Sequence, residues 1–329
     1  MVDLMWEQPG ALGGAIWSGV DDVFHMPSGD IRGYGFREVM FLWALSAALM
    51  SGADVALIYE KMKAEGKEKE TKEALGRYST FELLGIAIAT PIGSIIGKSY
   101  GLQYSTLAMA VPLSLALVAM LFVKSVPKEK KEHQHYLKIF KDGLSYFWQN
   151  HTLRALAFDS VSISILAFMA IWTYQPQLKS VGIGLAYFGL VHSAGTLMEI
   201  LVLNNFTFLE KRVSTKGYLL VSGLVVGISF MLLTVAGVFS PLFVVLIFGF
   251  GFTRRVLLTH YINKHIKADQ RATVLSSVSM LDTLGRAILY PLVGVAAMWN
   301  LSVTHLSLGI LVIAALVFSK VKIEMLSDL

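Results

Sequence analysis

The stretch from Tyr261 to Leu281, YINKHIKADQRATVLSSVSML, places a cluster of basic side chains between two long apolar segments. Its basic residues are Lys264, His265, Lys267 and Arg271. By itself such a run fits a nucleic-acid-binding patch, a metal-binding loop or part of an ordinary soluble helix. The sequence on either side decides among these interpretations, because the surroundings of a charged run determine what it can contact.

The amino-acid composition indicates a membrane protein. Of the 329 residues, 55% are hydrophobic and only 16% are charged, and the mean hydropathy is +0.61. Soluble domains carry roughly 25% charged residues. The chain has no cysteine, which excludes disulfides and thiolate metal ligands. The net charge of +5 would favour a nucleic-acid partner only if the basic residues shared one surface.

Nine segments of the sequence are long and apolar enough to cross a bilayer as helices. A hydrocarbon core about 30 Å thick requires about 20 mostly apolar helical residues. Several of the segments contain no charged residue, and their glycine and alanine content suits close helix packing in lipid. We therefore predict an all-α integral membrane protein with about nine transmembrane helices. The predicted spans are residues 38–59, 80–97, 103–123, 155–178, 183–206, 217–239, 241–259, 273–298 and 302–319.

The basic residues are distributed unevenly between the two sides of these spans. Most of the 28 lysines and arginines lie in every second connecting loop or in the tail, whereas the loops between hold only Lys98 and Lys179. Because basic loops stay in the cytoplasm, we expect a multi-pass protein of the cell (plasma) membrane with a cytoplasmic C-terminus. The opening stretch then lies on the cytoplasmic side, and membrane topology explains its charge. No nucleic-acid partner is expected.

Four stretches of the sequence resemble segments of one transporter family. They are the opening stretch followed by PLVGVAA (residues 291–297), SGADVALIYE (Ser51–Glu60), IWTYQPQLKSVGI (Ile171–Ile183) and the long basic loop 124–154. In order and spacing they resemble the major facilitator superfamily over about residues 37–320. The resemblance implies a bundle of the type built from two six-helix halves around a central cavity. The nine spans then correspond to helices 4–12 of twelve.

This correspondence also predicts the domain organisation. Residues 37–123 would be a remnant of the N-terminal bundle with three spans, and residues 155–329 a complete C-terminal six-helix bundle. Between them, residues 124–154 are predicted to form the cytoplasmic central loop with an amphipathic helix, because aromatic and basic residues are mixed at helical spacing in residues 134–150. Residues 1–36 fit no helix of the family and are expected to be an irregular leader, truncated or scrambled. The chain would then be a fragment of a longer transporter.

Ionisable side chains inside a membrane are functional candidates because burying them in lipid is expensive. Asp54 is predicted to lie near the cytoplasmic end of its span. There we expect it either to contact an ion or solute or to stabilise the inner gate. His192 and Glu199 are seven residues apart and so lie on one helical face. Together they could bind and release a coupling proton. Alternatively, His192 packs as a neutral ring and Glu199 pairs with a base on a neighbouring helix.

Asp282 and Arg286 are spaced four residues apart, with the acid first, as in a favourable helical ion pair. They either neutralise each other or leave Arg286 to bind a substrate anion. Tyr174 and Gln175 lie in the stretch that resembles the outer end of the family's seventh helix. There we expect them to contact solute or to close the outer gate. Asn263 and Arg271, in the opening stretch, are assigned to the cytoplasmic gate or loop.

Charged residues near helix ends are expected to extend toward the membrane surface instead. This group comprises Glu82, Asp159, Arg254 and Arg255.

The leading functional hypothesis is a secondary active transporter that moves a small solute by alternating access. Coupling to a proton or another ion and export from the cell are open alternatives within it. The alternative from a different class is a non-transporting remnant or helper membrane protein. An enzyme is not expected, because the sequence has no P-loop, Gly-x-Ser-x-Gly or His-Glu-x-x-His motif. No cofactor or metal is predicted, and the sequence does not indicate an oligomeric state.

Overall fold

The fold is an all-α membrane bundle, as the composition predicted. The computed structural model describes residues 23–25, 31–33, 53–67, 70–122, 141, 145–266 and 271–326. The chain divides into two compact units, Met1–Lys130 and Lys131–Leu329.

The only strands in the described part of the chain form a short hairpin in the first unit. Strand β1 (Val23–His25) pairs antiparallel with β2 (Ile31–Gly33), and Phe24 lies opposite Arg32. The sequence between the strands contains Pro27, Ser28 and Gly29, residue types typical of turns. The region predicted to be an irregular leader therefore contains one element of regular structure.

The helices of the first unit include one that is longer than predicted. Residues 71–79, expected to be part of a loop, are helical because the run Thr-Lys-Glu-Ala-Leu at its start contains several good helix formers. Pro91 lies inside this helix. The side-chain hydroxyl of Ser105 donates to the carbonyl of Gly93 at 2.7 Å and so joins the helix to the next one. The helices are α1 (Ala53–Ala64), α2 (Thr71–Tyr100), α3 (Leu102–Ala108) and α4 (Ala110–Leu121).

The helices of the second unit have polar caps at several of their ends. Two asparagines cap helix N-termini: Asn150 accepts from the backbone N–H of Leu153 at 3.1 Å, and Asn300 from that of Val303 at 3.0 Å. Such caps satisfy backbone groups that a helix end leaves unpaired. The helices are α5 (His151–Ser180), α6 (Phe188–Asn204), α7 (Phe206–Val213), α8 (Thr215–Leu232), α9 (Ser240–Gly251), α10 (Thr253–Lys264), α11 (Arg271–Trp299) and α12 (Leu301–Val317).

Three short 3-10 helices complete the second unit, Leu185–Tyr187, Gly237–Phe239 and Ile323–Leu326. In the last of them, Met325 and Leu326 are buried. The His265 ring lies 3.0 Å from the Met325 carbonyl. These contacts hold the segment against the end of α10.

Seven helices in the described residues are long and apolar enough to cross a membrane. An eighth, α12, is apolar but only 17 residues long. Most of the predicted span 38–59 lies outside the described residues, and only its last part is seen, in α1. Span 241–259 consists of α9 and α10, which meet at Phe252. The seven are Ala74–Tyr100, Tyr104–Leu121, His151–Ser180, Leu185–Asn204, Thr215–Leu232, Gly237–Lys264 and Ser277–Trp299.

The predicted amphipathic helix of the central loop falls mainly outside the described residues. Of its segment 134–150, the structure describes residue 141 and a helical stretch at 145–149. Phe147 is buried, whereas Trp148 is exposed. The hydroxyl of Tyr146 donates to the carbonyl of His265 at 3.3 Å. Helix α5 begins at His151, before the predicted end of the loop at residue 154.

Helix α5 runs through the centre of the second unit. Its first part, with Leu153 and Leu156, belongs to one buried apolar cluster, and its later part, with Ile163 and Leu178, belongs to another. Most of the predicted span on this helix is buried inside the bundle. A central helix in contact with several others positions side chains of different helices against one another.

Glycines allow the helices around α5 to approach closely. A Cβ atom at Gly195 of α6 would lie 2.7 Å from Phe248 of α9, and one at Gly249 would lie 2.4 Å from Met198. Small residues at such crossings are typical of helix packing in lipid. The expectation drawn from the glycine and alanine content therefore holds at these crossings.

Candidate solute and ion pathway

The Asp282–Arg286 ion pair lies on α11 in the second unit. Asp282 Oδ2 is 2.7 Å from Arg286 Nη2 and 3.3 Å from Arg255 Nη1, so one carboxylate oxygen holds two guanidinium groups. The Asp282 side chain is buried, that of Arg286 is 18% exposed, and that of Arg255 is 47% exposed. The pair predicted from the four-residue spacing is present, and α10 adds a second base that the sequence analysis had assigned to a helix end.

Aromatic rings enclose the Arg286 end of this pair. The Arg286 guanidinium carbon lies 4.0 Å from the centre of the Phe168 ring, a distance typical of a cation–π contact. Phe168 stacks against Tyr290 at 6.1 Å, and Trp172 meets Tyr290 edge-on at 5.5 Å. Phe168 and Trp172 belong to α5, whereas Tyr290 follows Arg286 on α11. We call Asp282, Arg286, Phe168, Trp172 and Tyr290 the arginine–aromatic cluster.

A second group of predicted residues surrounds Tyr174 on α5. Tyr174 is buried, and its hydroxyl accepts from Gln175 Nε2 at 3.2 Å. Its ring meets the half-buried His192 ring of α6 at 5.8 Å. His192 also packs against Phe248 of α9 at 5.0 Å. The structure therefore brings Tyr174, Gln175 and His192 together, although they were predicted as two separate sites.

Glu199 lies further along α6 from His192 and is buried at 7% exposure. Its carboxylate is within electrostatic range of the Tyr218 hydroxyl of α8. That hydroxyl forms a 2.6 Å hydrogen bond with Thr253 Oγ1 of α10. Glu199 is thus a buried acid beside a polar contact that joins two helices. This placement suits either proposed role, a proton site or a structural acid.

A buried ion pair between α5 and α10 was missed by the sequence analysis. Arg254 is fully buried and Asp159 is 2% exposed, and Arg254 Nη2 pairs with Asp159 Oδ1. Arg254 Nη1 also donates to the Leu219 carbonyl and, at 2.9 Å, to Ser222 Oγ. The prediction that these charges extend to the membrane surface is wrong, since both side chains turn into the bundle.

The second Asp159 oxygen completes this network. Asp159 Oδ2 accepts from Ser319 Oγ at 2.6 Å, just beyond the end of α12. The Arg254–Asp159 network therefore joins α5, α8 and α10 to the segment that follows α12. Polar partners on both charges offset the loss of hydration that burial causes. In the sequence, the one available signal was that an acid and a base each fall inside an apolar segment, a few residues from its end.

A comparison with family models matches residues 34–290, well over half of the chain, to the description Major Facilitator Superfamily. The chain belongs to the major facilitator superfamily. A comparison with curated proteins finds no match. The match confirms the predicted family, and it assigns this protein a general role as a membrane transporter.

For three of the predicted site residues of this superfamily member, the structure gives little beyond their position in a helix. Asp54 is the second residue of α1, and Arg271 is the first residue of α11. Asn263 lies near the end of α10, and its side-chain oxygen is buried without a hydrogen-bond partner. Within the described residues, no group of three histidine, aspartate, glutamate or cysteine side chains is placed to hold a metal ion.

Proposed function

We propose that this protein is a secondary active transporter that moves a small solute by alternating access. Its membership of the major facilitator superfamily supports transport in general. The structural observation that supports solute transport is the arginine–aromatic cluster within the membrane spans, in which Asp282 is buried and Arg286 is partly exposed. Ion pairs inside a membrane are maintained at a free-energy cost, so they mark candidate solute or ion pathways.

The cluster has the features of a solute contact. Asp282 is buried, Arg286 is partly exposed, and rings of two helices surround the pair. Binding sites for small molecules combine apolar walls with a few polar groups that orient the ligand. In our proposal, Arg286 and the rings bind the solute and Asp282 keeps the guanidinium in position.

Glu199, together with His192, is our candidate for ion coupling. Both lie on one face of α6, about 10 Å apart along the helix, and each side chain is of a type that can bind and release a proton. Export is the direction we favour for a proton-coupled carrier of this kind, with uptake as the competing outcome. Asp54 remains a candidate for contact with the ion or solute near the inner gate.

The functional test is flux into proteoliposomes containing the purified protein. A panel of radiolabelled small acids, sugars, amino acids and organic cations is measured, with and without an imposed proton gradient. We expect at least one solute to move down its own gradient, and the proton gradient to change its rate. Absence of flux for every solute would favour the alternative of a non-transporting membrane protein.

Replacing Glu199 with glutamine tests the coupling role. We expect the proton-driven component of flux to fall about tenfold, equivalent to about 1.4 kcal/mol, while flux down the solute gradient persists. Glutamine keeps the size of the side chain and one acceptor oxygen but cannot exchange the proton. Glu82→Gln, at an exposed position on α2, is the matched control. Equal proton dependence in both variants would remove Glu199 from the coupling site.

Single cysteines at helix ends that are predicted to lie on opposite sides of the membrane can test the proposed orientation. The chain has no native cysteine that would react in their place. Lys216 and Ser302 are both exposed, at the starts of α8 and α12 respectively. In intact cells we expect a membrane-impermeant maleimide to label Ser302→Cys and not Lys216→Cys. After permeabilisation both should react. The reverse pattern would contradict the cytoplasmic placement of the basic loops and of the C-terminus.

A further inference from the structure

Together with Arg255, the arginine–aromatic cluster carries an excess of positive charge. Arg255 and Arg286 both contact one oxygen of Asp282, so these three side chains together bear two positive charges and one negative charge. The more exposed Arg255 is partly hydrated, whereas Arg286 is mostly covered. In a low-dielectric environment, a ligand with one negative charge would balance the remaining positive charge.

Two polar atoms of the ion pair have no hydrogen-bond partner. They are Asp282 Oδ1, an acceptor, and Arg286 Nε, a donor, and both are buried. Buried polar atoms are nearly always hydrogen-bonded, so an unpartnered donor and acceptor on neighbouring side chains require an explanation. A ligand that offers an acceptor to Arg286 and a donor to Asp282 would satisfy both atoms.

The surrounding rings restrict the shape of such a ligand. Arg286 lies against Phe168 at 4.0 Å, and the Phe168 and Tyr290 rings are inclined to each other by only 23°. Stacked rings of this kind accept a flat apolar body more readily than a bulky one. The planar guanidinium also matches the two oxygens of a carboxylate. Because the two unpartnered atoms are enclosed, the half-buried rings must turn to admit the ligand.

From these observations we propose that the arginine–aromatic cluster binds a small planar organic monoanion, an aromatic carboxylate that also carries a hydrogen-bond donor. The carboxylate contacts Arg286, the flat ring lies among Phe168, Trp172 and Tyr290, and the donor reaches Asp282. This inference rests on the proposed transport function only in treating the ligand as a transported solute. The binding site itself is defined by the charge, the unpartnered atoms and the rings.

The test is equilibrium binding to the full chain in lipid nanodiscs, measured by isothermal titration calorimetry. The probes are para-hydroxybenzoate, benzoate and indole-3-acetate, with para-hydroxybenzamide as the uncharged analogue and tyramine as the cationic one. We expect saturable binding of at least one acid. The amide should bind about tenfold more weakly than para-hydroxybenzoate, a difference of about 1.4 kcal/mol, and tyramine should not bind. No binding by any acid, equal binding of acid and amide, or tighter binding of tyramine would overturn the inference.

Arginine variants locate the binding site. Arg286→Gln should weaken binding of the acid about tenfold, and Arg286→Lys should also weaken it, because a lysine keeps the charge but loses the planar fork. Arg212→Gln is the matched control, since Arg212 also lies over a phenylalanine ring, Phe208 at 5.3 Å, but outside the cluster. Unchanged affinity in Arg286→Gln would overturn the proposal. A melting profile for each variant shows that it is folded.

Flux measurements separate this inference from the proposed function. Binding of the acid that is lost in Arg286→Gln, without flux of any solute, would support the site and contradict the transport proposal. Flux of another solute that is unaffected in Arg286→Gln, with no binding of any acid, would support transport and overturn the site.

Discussion

Replacing Arg254 with methionine is expected to lower the free energy of unfolding by about 3–5 kcal/mol, the range measured when one partner of a buried ion pair is removed. Asp159 would remain at 2% exposure without its only described cationic partner. The Leu219 carbonyl and the Ser222 hydroxyl would also lose the donors that Arg254 supplies. The measurement is unfolding of the detergent-purified protein by increasing SDS, followed by circular dichroism.

The control for this prediction is Arg212→Met. Arg212 is an exposed arginine on α7, and its contact is a phenylalanine ring rather than a buried carboxylate. We expect this variant to change stability by about 0.5 kcal/mol or less, as most surface substitutions do. If Arg254→Met and Arg212→Met had the same small effect, the Arg254–Asp159 network would not stabilise the bundle.

A double variant distinguishes the pair from either charge alone. When both members of a buried ion pair are replaced by apolar residues, stability is often recovered or even increased. The Arg254→Met and Asp159→Leu double variant should therefore be more stable than either single variant. Any residual loss would reflect the hydrogen bonds to the Leu219 carbonyl, Ser222 and Ser319, which neither apolar side chain can replace.

The Arg254–Asp159 network also shows that a residue's position within an apolar segment does not determine where its side chain points. The distance of a residue from the end of its span gives its depth in the membrane, and for Asp159 and Arg254 that distance suggested a surface position. It does not give the direction in which the helix turns the side chain. Both residues face the bundle, because α5 and α10 pack against each other there. A hydrophobic pattern on single helices does not determine which faces of two different helices meet.

Local pairs were predictable because they depend on one helix only. The spacing of Asp282 and Arg286 predicted their contact, and the structure has it at 2.7 Å. The contributions of Arg255, Phe168 and Trp172 come from α10 and α5, which are distant in sequence. The same holds for His192, whose neighbours Tyr174 and Phe248 lie on two other helices. The sequence therefore indicated the charged centre of the cluster but not its aromatic walls.

Five of the six spans predicted for the second unit coincide with helices long and apolar enough to cross a membrane, and the sixth coincides with the shorter α12. These helices were predictable for a different reason. Lipid requires each backbone polar group to be satisfied within its own helix, so apolar segments about 20 residues long translate directly into helices. Helix ends were less accurate, as at Thr71 and His151. Polar turns at the ends extend beyond the apolar segment, and propensity and capping set their limits rather than hydropathy.

Replacing Gly309 with alanine is expected to destabilise the second unit by about 1–3 kcal/mol, the usual effect of overpacking. A Cβ atom there would lie 2.7 Å from the Gly227 carbonyl oxygen and 3.1 Å from the Met231 amide nitrogen. Both are backbone atoms of α8, so a side-chain rotation cannot relieve the contact. Helix α12 would have to move away from α8, which loses the packing along this crossing.

Gly294→Ala is the matched control and should change stability in the opposite direction. Gly294 lies inside α11, and a Cβ atom there would meet nothing within 4 Å. Alanine forms helices better than glycine by about 1 kcal/mol, so this variant should be unchanged or more stable. The same SDS titration compares the two variants. Since each adds one methyl group to a helix, a difference in sign would come from the atoms that Gly309 faces, which are the α8 backbone and the Met231 side chain. Equal effects would show that the α8–α12 crossing is looser than the 2.7 Å approach implies.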